Sequence, residues 1–208
     1  MRITIRNFQA LVQISESPLS DIDRSIEMVK LFTGFSQVKV DNMNAIKFNN
    51  ICKLINSKFD KWNKGLSDGK PKNLILVNGK YYRLKYDIKE MVASQYVEAV
   101  TFAQEPIKEL HKILATMAVP VRWSWGKWKE YPYKPEEYEA ICEQMLDADY
   151  DDVYHALLFF WAVLEESMKD TDISGSLAEG AIAARLVKLS EKFGDGFIKP
   201  KWLLNWKA

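Results

Sequence analysis

Few residues in this chain have types and spacings suited to chemistry. Histidine is the commonest general base and metal ligand, and only His111 and His155 are present. Asp152 stands one helical turn before His155, so the pair would share a helix face and could hold a metal ion or move a proton. The same spacing serves a surface hydrogen bond or a packed core histidine, and no H-E-x-x-H accompanies it. An enzyme of unfamiliar type using Asp152 and His155 is thus one reading among several. Cys52 and Cys142 lie among apolar residues at helical spacing, without a second Cys or a His at metal-ligand distance in the sequence. They read as small core residues, with a disulfide left open. Asp147, Asp149, Asp151 and Asp152 lack the central glycine and closing glutamate of a calcium loop and read as a helix-to-helix turn with N-caps. The nine glycines form no phosphate-binding loop, and no G-x-S-x-G elbow occurs. These residues imply no catalytic set, no metal site and no cofactor.

The most unusual composition runs from Trp123 to Tyr133, WSWGKWKEYPY. Its aromatics alternate with Arg122, Lys127, Lys129 and Lys134. Such a stretch can anchor a protein interface, where Trp, Tyr and Arg concentrate binding energy. It can also stack single-stranded bases, or simply fold back over a core. The formal net charge of +1 disfavours nucleic acid. A second apolar group, Trp202, Leu203, Leu204 and Trp206, lies on a tail, and termini are mobile unless docked. The candidate protein-binding residues are therefore Trp123, Trp125, Trp128, Tyr131 and Tyr133, with Trp202, Leu203, Leu204 and Trp206.

The elements that must position these residues are mainly helical. Thr4 can cap a helix carrying Phe8, Leu11 and Val12. Ser20 with Asp23 resembles a capping box, and Gly34 fits the helix stop. Asn44 can cap a long helix with Phe48, Ile51, Cys52, Ile55 and Phe59 on one face. A short linker, Lys64 to Pro71, carries two glycines, a serine and a proline. Beyond it, Asn78-Gly79 between two β-prone runs predicts a hairpin over residues 74–86 with a type I′ turn. Asp87 is expected to cap a helix through Met91, Tyr96, Val100 and Phe102. Pro106 is expected in the first turn of the next helix, with Leu110, Ile113, Leu114 and Met117. Pro120, Pro132 and Pro135 rule out a continuous helix, so 121–133 reads as an irregular aromatic loop. Helices resume over 135–146, 151–168 and about 176–193. The fold class is mainly α, a helical domain with one small β-hairpin, an irregular aromatic loop and a C-terminal tail. The domain reading is a helical N-terminal unit over 1–63, a hairpin-plus-helix domain over 74–193, and a tail over 194–208. Leu157, Phe160, Trp161 and Leu164 are expected to be buried with Leu110 and Leu114.

Composition bounds the function class. Apolar residues make up 48% and charged residues 27%, as in globular proteins. The longest apolar run, Ala156 to Leu164, is far short of the roughly 18 residues of a membrane span. The first residues carry no apolar leader, so an intracellular, membrane-free protein is expected. Residues 136–172 carry twelve acids and one lysine, and residues 58–89 carry nine basic and three acidic residues. These are either solvated faces or opposite surfaces that meet between subunits.

Leu76-Val77-Asn78-Gly79-Lys80-Tyr81-Tyr82-Arg83-Leu84-Lys85-Tyr86-Asp87-Ile88 resembles the opening of small assembly proteins of tailed bacteriophages, where such a hairpin leads into a helical domain. Tyr96-Val97-Glu98, Leu110 to Ala115 and Met145 to Phe160 are similar in the same way. The likeness, to the tail assembly chaperone-like group and small virion proteins, covers roughly residues 74–168. It implies a non-enzymatic assembly or virion structural protein with no catalytic residues to carry over. It implies as partners other virion proteins (tail, connector or portal components) and further copies of the chain. The place of action would be the host cytoplasm during assembly, or the virion. The alternative is a phage-encoded binding module that inhibits a host factor such as a defence protein.

Overall fold

A computed structural model describes residues 2–66, 70–85, 91–131 and 134–169. The chain forms two compact units, and the boundary cuts the first helix. The described residues of one unit lie within Ala10–Asp68. Those of the other lie within Arg2–Gln9 and Gly69–Val187.

Helices over residues 4–66 begin and end where side chains replace missing backbone partners. Helix α1 (Ile5–Glu16) starts after Thr4, whose hydroxyl accepts the Asn7 N–H at 3.2 Å. In α2 (Asp21–Thr33) the Ser20 hydroxyl accepts the Asp23 N–H and donates back to the Asp23 carboxylate. Gly34, at φ 69°, closes α2 in the left-handed conformation. A short helix that the sequence pattern did not suggest, α3 (Gln37–Asp41), follows, capped by Ser36. Helix α4 (Ala45–Leu66) is capped by Asn44, which accepts the Lys47 N–H at 2.8 Å. Its apolar stripe buries Cys52, Ile55, Phe59 and Trp62. Phe59 stands edge-on to Phe32 and to Trp62.

The second unit contains a four-stranded antiparallel sheet of order β1-β2-β3-β4. β1 (Leu74–Val77) and β2 (Lys80–Leu84) form the expected hairpin. Asn78 and Gly79 hold φ of 48° and 78°, as a type I′ turn requires. The irregular aromatic loop expected over 121–133 is corrected: it contains a second hairpin, β3 (Ala118–Ser124) with β4 (Lys127–Glu130). Trp125 and Gly126, at φ 51° and 76°, make its two-residue turn. Pro120 is accommodated because its nitrogen and carbonyl face Tyr131, one residue beyond the end of β4, where the Tyr131 N–H donates to that carbonyl at 2.9 Å, so the missing N–H removes no bond to β2.

Helix α5 (Ala93–Phe102) starts later than expected. Val92 is extended, and the Gln95 side chain accepts the Val92 N–H. Asp87, the expected cap, lies outside the described residues. Turns occupy 103–109, and α6 (Leu110–Met117) also starts later than Pro106 suggested. The Gln9 amide binds the Ile107 and Lys108 carbonyls at 2.9 and 2.6 Å in those turns. A 3-10 turn (Pro135–Glu137) leads into α7 (Tyr138–Met145), and α8 (Tyr150–Lys169) follows. Leu110, Leu114, Leu157, Phe160, Trp161 and Leu164 are all buried, as the apolar run predicts. Residues 3–6 tie to the α7–α8 connection through Ile5 N–H to the Ala148 carbonyl, Arg6 N–H to the Leu146 carbonyl, and Tyr150 N–H to the Ile3 carbonyl. Phe8 stacks on Tyr150 with ring centres 4.0 Å apart. The helix expected over 176–193 and the tail over 194–208 lie outside the described residues.

Candidate protein-binding face

Strand pairing decides which side chains share a face, because partners across an antiparallel ladder point the same way. Tyr82 pairs with Ile75 and Pro120, and its face carries Val77, Leu84 and Ala118. Apart from the half-buried Pro120 these are buried, and the Tyr82 hydroxyl donates to the Gln144 side chain of α7. The other face carries Leu76, Tyr81 and Val121 in one row and Trp123 with Trp128 in the next. Leu76 is 47% exposed, Tyr81 40% and Trp123 60%. Alternation along each strand thus gives the sheet one face packed on the core and one open apolar face.

The open face is ordered by ring contacts. Tyr81 and Trp128 have ring centres 4.7 Å apart, and Trp123 meets Trp128 edge-on at 5.3 Å. Val121 is buried among them. β2 pairing with β3 ends at Tyr81↔Val121, while β3 continues to Ser124, so the second hairpin runs past the first turn. A cavity of about 560 Å³ opens there, lined in part by Tyr81, Arg122, Trp123, Trp128 and Tyr131. Its size matches pockets that take a side chain or small ligand. At the other end of the face, Glu130 bridges Lys85 and Arg83 at 2.9 and 2.7 Å. Hydrogen bonding from Lys85, then Arg83, outweighs desolvation and holds the Glu130 carboxyl below the usual glutamate range.

Four of the expected binding residues are described, and they do not all share a face. Trp123 and Trp128 lie on the open face. Trp125 is 93% exposed at the turn. Tyr131 lies toward the opposite side, with the Arg122 guanidinium 5.7 Å from its ring centre. Tyr133, Trp202, Leu203, Leu204 and Trp206 lie outside the described residues. Leu76 and Tyr81 join the face although they were expected only as hairpin residues. Their positions in strict alternation with buried Ile75, Val77 and Tyr82 were the available signal.

The other candidates are held in local structure. Asp152 pairs with Lys72, and His155 stands edge-on to Tyr154. Asp147 pairs with Arg6 and accepts the Asn78 amide, while Asp149 pairs with Arg2 and accepts the Asp151 N–H. Among the described residues, no three His, Cys, Asp or Glu stand together to hold a metal ion. The Gln9 amide lies 3.1 Å from His111 Nδ1. Burial lowers the His111 pKa, disfavouring the charged ring. Both cysteines are free and buried, and burial pushes the Cys52 thiol up to about 11. Among the described residues, no helix is long and apolar enough to cross a membrane. No protein-family model, curated protein or solved structure matches the chain.

Proposed function

We propose that the chain is a non-enzymatic protein-binding protein of bacteriophage assembly, acting as a tail assembly chaperone-like factor or a head or tail component. Its contact surface is the open face of the sheet. The observation that carries the binding reading is the patch of exposed Leu76, Tyr81 and Trp123 around the half-buried Trp128, on a face whose reverse side is packed. Contiguous exposed aromatics of this kind mark interaction sites, and Trp and Tyr dominate binding energy there. The assembly reading rests on the resemblance of the 76–88 hairpin and of the 145–160 segment. Its partners are other virion proteins or further copies of the chain.

The test is the double substitution Trp123→Ala with Trp128→Ala. Mass in solution by sedimentation velocity and copy number in purified particles are compared with the unaltered chain. Concentration-dependent association or fixed particle stoichiometry in the unaltered chain, lost in the variant, is expected. A chain that stays monomeric and is absent from particles would sink this reading. If it instead bound a host protein through the same tryptophans, that would favour the inhibitor alternative.

A further inference from the structure

β4 is the outer strand of the sheet, and its ladder has a defined phase. The Tyr131 N–H to Pro120 carbonyl bond makes that pair a hydrogen-bonded one. Bonded and non-bonded pairs alternate in an antiparallel ladder. Arg122↔Lys129 and Ser124↔Lys127 are therefore bonded, while Trp123↔Trp128 and Val121↔Glu130 are not. The N–H and C=O of Trp128 and Glu130 point away from β3, and among the described residues they have no sheet partner. Side chains sort along the same edge. Trp128 lies on the open aromatic face, whereas Lys127 and Lys129 lie on the opposite face with Arg122. All three of these cations are exposed, and no described carboxylate forms an ion pair with them.

We infer that β4 is a docking edge for an extended acidic segment of a partner protein, which adds as a fifth strand. Its apolar side chains would lie against Trp128 and Trp123, and its Asp or Glu side chains, at alternate positions, against Lys127 and Lys129. Strand addition draws affinity from main-chain bonds and specificity from alternate side chains. Two observations select this occupant. A second copy of β4 pairing about Trp128 would set Lys127 opposite Lys129, a like-charge contact. A nucleic-acid strand stacked on Trp123 and Trp128 would meet Arg122 at the shared cavity but would leave Lys127 and Lys129, on the opposite face, without a phosphate. The inference rests on the protein-binding reading and supplies the chemistry of the partner.

The probe is a labelled hexapeptide, Glu-Val-Asp-Leu-Glu-Val, titrated onto the full chain by fluorescence anisotropy. A same-composition peptide with acids and apolar residues in separate blocks is expected to bind at least about tenfold more weakly, as is the alternating peptide to the variant Lys127→Glu with Lys129→Glu. N-methylating one alternate set of peptide amides should abolish binding, and methylating the other set should leave it intact. On binding, amide exchange should slow at Trp128 and Glu130. Equal binding of both peptides, insensitivity to methylation, or unchanged exchange at those two amides overturns strand addition. So does tighter binding of oligothymidylate at the same residues. If strand addition fails while association still depends on Trp123 and Trp128, the open-face reading survives. If neither occurs, both readings fall.

Discussion

Trp125 sits where its own conformation opposes it. At φ 51° a non-glycine residue occupies the left-handed region, which costs roughly 1–2 kcal/mol for most side chains and less for Asn. Its side chain is almost wholly exposed, so packing does not offset that cost. Trp125→Asn is therefore expected to raise stability by about 0.5–1 kcal/mol in urea unfolding. A fall in stability would show that the indole packs in solution. Glu130 offers a pH test. Its folded pKa is depressed, so its stabilising contribution is present above the unfolded glutamate pKa. That contribution is lost as pH falls through the lowered value. Stability of the unaltered chain should fall through that acid window more steeply than that of Glu130→Gln, measured by urea midpoints. Parallel pH profiles would remove Glu130 from the account.

At the scale of elements, capping and turn chemistry were legible because they depend on neighbours in sequence. Ser20, Gly34, Asn44 and the Asn78-Gly79 turn all act as their types require. Asn44→Ala should cost about 1 kcal/mol, read as a lower urea midpoint with an unchanged slope. In α8, Leu157 is 1% exposed, and Leu157→Ala should cost about 2–5 kcal/mol; a loss below 1 kcal/mol would mean that the helix is loosely packed. The second hairpin is not legible in the sequence because Trp-Gly is not an expected type I′ pair and Pro120 argues against a strand. The start of helix α5 is not legible because Asp87 is a good cap by type, while the cap that forms uses Gln95 to bind the Val92 N–H.

At the scale of the whole molecule, the first residues belong with distant ones. Ile3 and Ile5 are fully buried, and the backbone around them bonds to the α7–α8 connection. Ile3→Ala is expected to cost about 2–5 kcal/mol, whereas Arg2→Ala, which breaks an exposed pair with Asp149, should cost under about 1 kcal/mol. Comparable losses would mean that the charge, not the burial, holds this segment. The basic and acidic segments meet within the chain at Lys72 and Asp152. The sequence by itself determined the helical class, the first hairpin, the caps and the buried run of α8, because periodicity and turn preference act over a few residues. The membership of the open face was decided only by tertiary structure. Whether Trp123 and Trp128, or instead Arg122 and Lys129, join Tyr81 on its face depends on the register of β3 against β2. A one-residue slip would exchange the two faces. That register is set by long-range pairing and by burial of Ala118 and Leu84 on the packed side, which local pattern does not encode.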